Sequence, residues 1–292
     1  MTKIEFGTDG WRGIIAQDFT YDNLRSVAQA LSDYLKTQGL SKRGLVIGYD
    51  TRFMSDRFAR TVAEVAASND IPVLLASKPS PTPIVSFTVK KRSAGGGVVV
   101  TASHNPFIYS GVKFKLEHGG PASTEVTKQI QGFLHKNAAK HDEKKIQRNM
   151  SEADFENDYA EHIRKLVNLR LIGKAGFKIV FDAMHGAGDK ILERLLSHTK
   201  CRVKAIRAEP DPTFGGLKPE PIAQNLQPLM NAVVNEKADI GLATDGDADR
   251  VGVVTAKGEF VTPHEVFGLL LLHLRRNRGW TGGVVKTASV CN

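Results

Sequence analysis

The sequence predicts an α/β protein with mixed, mainly parallel sheets, arranged as two consecutive units and the start of a third. In the first unit, short apolar runs over 44–48, 71–75 and 97–101 indicate buried strands. Between them lie stretches whose apolar side chains recur at helical spacing, such as 24–35. Buried strands that alternate with amphipathic helices are typical of the α/β class.

The helices of the first unit are predicted from the same patterning. They cover 24–35, about 53–68, and a short stretch after the proline-rich turn over 79–83. Gly39 is a plausible stop for the first helix. The candidate cap residues at its start are Asp18, Thr20 and Asp22.

A second α/β series follows the polar stretch over 135–150, which is nearly free of large apolar residues and is interpreted as a linker. Its predicted helices cover 151–167, 187–197 and 225–235, and its predicted strands cover 177–181, a segment near 203, 238–243 and 251–254. From Gly258 a third series begins, with a helix over 264–275 and a strand over 283–286. The predicted units are therefore 1–148, 149–256 and an incomplete third, 257–292.

Composition excludes several functional classes. Of 292 residues, 41% are hydrophobic and 24% are charged, which suits a soluble globular protein. No secretory signal is expected at the N-terminus, and the longest strongly apolar run, 266–272, is too short to span a bilayer. Only two cysteines are present, Cys201 and Cys291, which favours reduced thiols and a cytoplasmic location without membrane contact.

The net charge of +9 leaves the class of partner open between nucleic acid, membrane surface and small anions. Basic residues are concentrated only over 136–148 and 275–278, and no aromatic residues are interleaved with them. A nucleic-acid partner is therefore not expected. A positive field would also suit a phosphorylated sugar. The sequence does not indicate the oligomeric state.

The segment Thr-Ala-Ser-His-Asn-Pro over 101–106 contains a candidate nucleophile, Ser103. It follows a predicted buried strand, and ligands of open α/β sheets bind beyond the carboxyl ends of the strands. Pro106 prevents an immediate helix, so Ser103 is placed in a loop beside His104 and Asn105. The alternative is a turn in which these polar residues only satisfy backbone groups.

A second candidate site is the run Asp-Gly-Asp-Ala-Asp-Arg over 245–250. Three carboxylates at alternate positions repel one another unless a cation lies among them, and hard oxygen ligands suit Mg²⁺ or Ca²⁺. An EF-hand loop is excluded because its sixth and twelfth positions would be Arg250 and Ala256. A Mg²⁺ site therefore fits better, and an acidic turn paired with arginines is the alternative.

The third candidate is the glycine-rich run Phe-Gly-Thr-Asp-Gly-Trp-Arg-Gly over 6–13. Its glycines allow positive φ and close backbone approach, and Arg12 could present a planar fork to a phosphate. The run matches neither the P-loop nor the dinucleotide fingerprint. Taken alone it is a weak signal.

Together these three runs, in this order, resemble the α-D-phosphohexomutase family, which includes phosphoglucomutase, phosphomannomutase and phosphoglucosamine mutase. Segments that begin at Gly48 (GYDTRFMS), Asp182 (DAMHGAG) and Asp211 (DPTFGG) also look like family segments. The resemblance extends over the whole chain. It implies three-layer α/β/α domains and transfer of a phosphoryl group between two hydroxyls of a hexose, between hexose 1-phosphate and hexose 6-phosphate.

The resemblance also implies roles for single residues. Ser103 would carry the phosphoryl group and offer one of its oxygens to Mg²⁺, which Asp245, Asp247 and Asp249 would hold. The further site residues implied are Arg12, His104, Lys113 and Arg250. A hexose 1,6-bisphosphate such as glucose 1,6-bisphosphate would be intermediate and activator.

Two single-residue departures from the family pattern stand out. Residue 248 is alanine where many relatives have glycine. Trp11 stands where phosphoglucosamine mutases often have a smaller aliphatic residue, which favours glucose or mannose phosphates as substrates.

The family has four domains, and the loops of the third and fourth that contact the sugar and the distal phosphate have no counterpart in this sequence. A truncated chain with poor activity alone is therefore expected. Phosphoglucosamine mutase, a phosphatase and a non-catalytic fragment remain alternatives.

Overall fold

The computed structural model describes residues 4–7 and 10–286. Its strands, in chain order, are β1 (Trp11–Ile14), β2 (Leu45–Tyr49), β3 (Val73–Ala76), β4 (Gly96–Val100), β5 (Tyr109–Lys115), β6 (Met150–Ala153), β7 (Lys178–Asp182), β8 (Arg202–Ile206), β9 (Ile240–Thr244), β10 (Val251–Thr255) and β11 (Phe260–Val261). Its α-helices are α1 (Tyr21–Thr37), α2 (Ser55–Ser68), α3 (Thr82–Lys91), α4 (Thr124–Gln131), α5 (Glu143–Asn149), α6 (Glu156–Leu166), α7 (Leu169–Ala175), α8 (Ile191–Leu196), α9 (Gln227–Glu236) and α10 (Pro263–Arg276). Both sets of elements confirm the predicted α/β class.

The first sheet has six strands in the order β1-β5-β4-β2-β3-β6. Strands β4, β2, β3 and β6 are parallel, whereas β5 and β1 are added antiparallel at one edge. Every residue of β2 and β4 is buried, because helices α2 and α3 both pack on β2 and a parallel strand covered on both faces is apolar throughout. The predicted cap Thr20 begins α1 by accepting a hydrogen bond from the amide of Asn23.

The second sheet has five strands in the order β11-β10-β9-β7-β8. Strands β8, β7 and β9 are parallel, and β10 and β11 continue the sheet antiparallel. Helix α9 packs on β7, β9 and β10, and its Leu229 and Val233 are buried in the core of this unit. The two sheets have separate apolar cores.

The predicted linker over 135–150 is wrong in its second half. Helix α5 packs on α2 with Ile146 buried, and β6 pairs in parallel with β3 at the edge of the first sheet. The helix predicted over 151–167 consequently begins only at Glu156. An edge strand of sequence Met-Ser-Glu-Ala has no apolar run to reveal it. Because β6 belongs to the first sheet, we propose that the first unit extends to Ala153 rather than to residue 148.

The boundary predicted between residues 256 and 257 falls between two paired strands of the second sheet. Strand β11 pairs with β10, so we propose that the second unit extends to Val261.

The strand predicted over 283–286 is wrong, because this segment has no regular secondary structure and Val285 is 93% exposed. An apolar run forms a strand only when another strand offers backbone partners, and none is adjacent among the described residues. Strands β1, β5 and β11 and helices α4 and α7 were not anticipated.

Within the described residues, no helix combines the length and apolar character needed to cross a bilayer. Cys201 is a free thiol, and Cys291 lies outside the described residues.

An ion-pair cluster joins the two units. The carboxylate of Glu156, at the start of α6, accepts hydrogen bonds from Arg194 Nε at 2.5 Å and Arg194 Nη2 at 2.9 Å. It also accepts one from Lys78 Nζ at 2.8 Å, in the loop after β3. Burial alone would raise the pKa of Glu156, but the hydrogen bonds and charges of Arg194 and Lys78 outweigh it and leave the pKa below its usual value.

Replacing Glu156 with glutamine is expected to lower the free energy of unfolding by roughly 1 kcal/mol near neutral pH, since a two-point arginine contact is lost while the partners remain half-exposed. A depressed pKa stabilises the fold above the unfolded value, 4.5 for glutamate, and this contribution is lost as the pH falls through the lower folded value. Urea unfolding at several pH values should therefore show the two proteins converging in acid. The control is E161Q, an exposed position of the same helix.

Candidate active site

The carboxyl ends of the two sheets face each other, and both sequence-predicted loops lie there. The loop over 101–106 follows β4, and the loop over 245–250 follows β9. Thr82, at the start of α3 in the first unit, donates its amide to the carbonyl of Asp247 and its hydroxyl to the carboxylate of that residue. These contacts hold the loop over 245–250, called the metal-loop candidate below, against the first unit.

Ser103 is buried at the meeting point of the two loops. Its Oγ donates to Asp245 Oδ2 at 2.9 Å, and its amide donates to Thr101 Oγ1 at 2.8 Å. Its backbone has a φ of 53°, in the left-handed region that a residue with a side chain adopts only at a cost. An observed strain of this kind at the candidate nucleophile indicates that surrounding contacts determine the loop's conformation.

The three aspartates lie together as the sequence predicts. One ligand oxygen from each of Asp245, Asp247 and Asp249 lies within 4.8 Å of the others. Asp245 and Asp247 are fully buried, and Asp249 is more accessible. Lys113, which projects from β5, places its Nζ 2.8 Å from Asp247 Oδ2 and 2.9 Å from Asp249 Oδ2.

The crowding of these charges separates the pKa values of the two buried carboxyls. Burial, with the charges of Asp247 and Asp249, raises the pKa of Asp245 to about 7. Burial also acts to raise the pKa of Asp247, but the ammonium of Lys113 and the hydrogen bonds to this carboxylate lower it overall. Lys113 therefore does not neutralise all of the negative charge on the triad of Asp245, Asp247 and Asp249, and a bound cation would offset the rest.

The residues fit a hard divalent cation such as Mg²⁺. They offer carboxylate oxygens only, which is the donor set that Mg²⁺ prefers. Asp247 Oδ1 is buried and has no hydrogen-bond partner among the described residues, an arrangement that costs free energy unless a ligand satisfies the atom. The hydroxyl of Ser103 lies against Asp245, so the serine and the carboxylate cluster share one site.

The other predicted site residues, Arg12, His104 and Arg250, lie around Ser103 and the three aspartates. Arg12, on β1, donates from Nη1 to Asn105 Oδ1 at 2.8 Å, inside the Ser103 loop. His104 has its Nε2 at 3.9 Å from Glu220 Oε1, and burial followed by the charge of Arg250 lowers its pKa. The guanidinium of Arg250 is half-exposed and lies 3.5 Å from the same Glu220 oxygen, rather than on Ser103.

The glycine-rich run over 6–13 has a structural explanation in its described part. Gly10 has a φ of 104°, and a Cβ there would lie 2.0 Å from the carbonyl oxygen of Val112 on β5. Thr8 and Asp9 lie outside the described residues.

Trp11 is only 3% exposed and stacks on Phe19, with the ring centroids 4.9 Å apart. It therefore offers no sugar contact, and the substrate preference inferred from it loses its basis.

Sequence reasoning assigned no role to Asp50, Arg52, Thr82 or Glu220. All four touch one of the two loops or their neighbours, but they come from three separate segments of the chain. The segment that begins at Gly48 was the available signal for the first two. Glu220 lies within the long irregular connection after β8, and its sequence context carried no chemical pattern.

Ala248 adopts the left-handed conformation, with a φ of 54°. This explains why glycine suits the position, and it makes a stability prediction. Replacing Ala248 with glycine is expected to raise the free energy of unfolding by roughly 0.5–1 kcal/mol, because relief of strain exceeds the extra chain entropy of glycine. Thermal unfolding would measure it, and an unchanged or lower midpoint would contradict the conformation assigned to this residue.

Comparison with known proteins agrees with this architecture. The family model described as phosphoglucomutase/phosphomannomutase, alpha/beta/alpha domain I, matches residues 3–141, and the model for domain II matches residues 157–258. The chain belongs to the phosphoglucomutase/phosphomannomutase family.

The names of individual relatives refer to different sugar substrates. A phosphoglucomutase/phosphomannomutase of Thermococcus kodakarensis is 31% identical over 97% of this chain and 61% of its own length. A phosphoglucosamine mutase of Clostridioides difficile is 30% identical over 93% of this chain and 60% of its own length. A crystal structure from Thermus thermophilus, assigned as a phosphomannomutase, has a TM-score of 0.86 at 39% identity over 94% of this chain and 62% of that one. The chain thus spans about three fifths of the length of these relatives.

Proposed function

We propose that this chain supplies the phosphoserine and metal-binding part of a phosphohexomutase active site. The reaction is transfer of a phosphoryl group between the 1- and 6-hydroxyls of a hexose phosphate, through phosphorylated Ser103. The observation that supports it most is the 2.9 Å hydrogen bond from Ser103 Oγ to Asp245 Oδ2, which joins the two motifs across separate sheets. Membership of the family supports the reaction class.

Asp245, Asp247 and Asp249 would hold the Mg²⁺, together with an oxygen of phosphorylated Ser103. When bound, this ion neutralises charge on the phosphoryl oxygens. Lys113 keeps its ammonium between two of the carboxylates and fixes their orientation. Arg12 binds within the Ser103 loop, where a guanidinium can stabilise the phosphoryl group as its charge redistributes.

The cycle has two transfers. In the first, the bond between phosphorus and Ser103 Oγ breaks as a bond to a sugar hydroxyl oxygen forms, and the hydroxyl proton passes to Oγ. The product is a hexose 1,6-bisphosphate. After the bisphosphate reorients, its other phosphate returns to Ser103, and the sugar leaves with its phosphate at the new position.

His104 and Arg250 lie where they can contact the sugar phosphate rather than the aspartates. The lowered pKa of His104 keeps its imidazole neutral near pH 7, which suits transfer of a proton at the reacting hydroxyl. Both residues share Glu220, which would orient them from the second unit.

The sugar is proposed as glucose or mannose, with glucosamine as the second candidate. The relatives' names support both, since they include phosphoglucomutase/phosphomannomutase and phosphoglucosamine mutase. The two candidates would be separated by comparing the turnover of glucose 1-phosphate and glucosamine 6-phosphate by a four-domain protein that contains this sequence.

The decisive experiment is intact-mass and phosphopeptide analysis after incubation with glucose 1,6-bisphosphate and Mg²⁺. One phosphate on Ser103, absent from the S103A variant, is the expected result. Absence of phosphate from a folded wild-type chain would contradict the proposal. Release of inorganic phosphate without isomerisation would instead favour a phosphatase.

A further inference from the structure

Arg52 binds the segment from Ser103 to the start of β5 at four points. It lies in the turn after β2 and is 3% exposed, and its guanidinium donates to four main-chain carbonyls and to one carboxylate. Its Nη2 donates to the carbonyls of Ser103 at 2.7 Å and Asn105 at 2.8 Å. Its Nη1 donates to those of Pro106 and Tyr109, both at 2.9 Å.

Asp50 continues this network to the amide of Ser103. Its carboxylate accepts from Arg52 Nε at 3.0 Å, Ser55 Oγ at 2.8 Å and Thr101 Oγ1 at 2.6 Å. The hydroxyl of Thr101 in turn accepts from the amide of Ser103 at 2.8 Å. The carbonyl and the amide of Ser103 are therefore both fixed by one buried ion pair.

A residue of the second unit covers the same guanidinium. The ring of Phe214 lies with its centroid 4.9 Å from Arg52 Cζ and is almost fully buried. Asp211 holds the turn that presents this ring by accepting hydrogen bonds from the amides of Thr213 and Gly215. The Ser103 loop is therefore held from its own unit and covered from the unit that carries the aspartates.

We propose that Arg52, braced by Asp50 and Phe214, is a positioning residue for phosphoryl transfer at Ser103. This inference rests on the proposed function. The guanidinium has five donors in a rigid fork, and here it uses them on four carbonyls and one carboxylate. It keeps the strained Ser103 backbone, with its φ of 53°, in the one orientation that points Oγ at Asp245.

Lysine is the discriminating substitution. It keeps the positive charge beside Asp50, but its single nitrogen carries three donors and cannot reach carbonyls on both sides of the loop. A residue needed only for folding would change the fraction of molecules that react, whereas a positioning residue changes how fast each folded molecule reacts. Single-turnover phosphorylation separates these, since the amplitude counts competent molecules and the rate constant reports the geometry.

The experiment compares wild type with R52K in the full chain, using glucose 1,6-bisphosphate and Mg²⁺ and following phosphate on Ser103 by mass. We expect the amplitude to stay unchanged and the rate constant to fall by about 100-fold, because small misplacements of reacting groups have effects of this size. The half-saturating bisphosphate concentration should move by less than about threefold, since Arg52 is buried and its guanidinium is engaged by main-chain carbonyls and Asp50. The control R60K alters an exposed arginine of α2 and should behave as wild type.

An unchanged rate constant in R52K, or a loss of amplitude alone, would overturn the positioning role. A wild-type chain that takes no phosphate would count against the proposed function instead. The positioning inference then has a separate test in amide hydrogen exchange over 101–110. Exchange there should become about tenfold faster in R52K but not in R60K, while α1 and α2 keep their protection. Unchanged exchange in that segment would contradict the inference.

Discussion

Replacing Lys113 with methionine is expected to lower the free energy of unfolding by about 3 kcal/mol in metal-free buffer, because one partner of a buried ion pair is removed. Lys113 is 2% exposed and donates to Asp247, which is fully buried. The substitution leaves that carboxylate without its ammonium, next to two further carboxyls. Methionine keeps the length of the side chain, so the loss of charge rather than a cavity determines the effect.

Magnesium should reverse much of this loss. If the aspartates hold Mg²⁺, the ion replaces the missing positive charge and binds only the folded chain, so the unfolding midpoint of K113M should rise more steeply with Mg²⁺ than that of wild type. The measurement is thermal unfolding over a magnesium titration. The control K128M removes an exposed lysine of α4. A midpoint of K113M that does not respond to Mg²⁺ would contradict a metal site at the triad.

The two candidate loops could be located in the sequence because each is local. Ser103 follows a run of buried residues within a few positions, and the three aspartates alternate within five residues, so the repulsion argument needs no tertiary contact. The chemistry proposed for each loop therefore rests on local sequence. Their meeting across two sheets was implied only by the resemblance.

The supporting residues could not be predicted by the same reasoning. Arg52 and Ser103 are 51 positions apart, and Thr82 and Asp247 are 165 apart, so no local period links them. Lys113 was found through the resemblance alone, because a strand that is buried after its first residue and contains two lysines has no chemical pattern of its own. Strand β6 was missed for a related reason, since its half-exposed residues have no apolar signature and pairing with β3 determines its conformation.

Replacing Gly246 with alanine is expected to move the loop over 245–250 away from the loop that carries Ser103. A Cβ at this position would lie 2.6 Å from the carbonyl oxygen of Ser103 and 3.1 Å from Pro219 Cγ. The first of these atoms is main chain and is held by Arg52 at 2.7 Å, so it cannot move aside without breaking the network around the nucleophile. We expect a loss of about 1–3 kcal/mol in the free energy of unfolding from overpacking.

The effect on phosphorylation should exceed the effect on stability. Moving the metal-loop candidate away from Ser103 by a fraction of an ångström changes the distance from Oγ to Asp245, and the rate of phosphate incorporation is expected to fall roughly 100-fold. The control is G268A in α10, where no described residue other than the neighbouring helix backbone comes within 4 Å of the new Cβ and helix propensity should add about 1 kcal/mol of stability. If G246A reacted at the wild-type rate, the carbonyl of Ser103 and Gly246 could not be in contact when transfer occurs. The hydrogen bond from Ser103 to Asp245 would then not describe the reacting geometry.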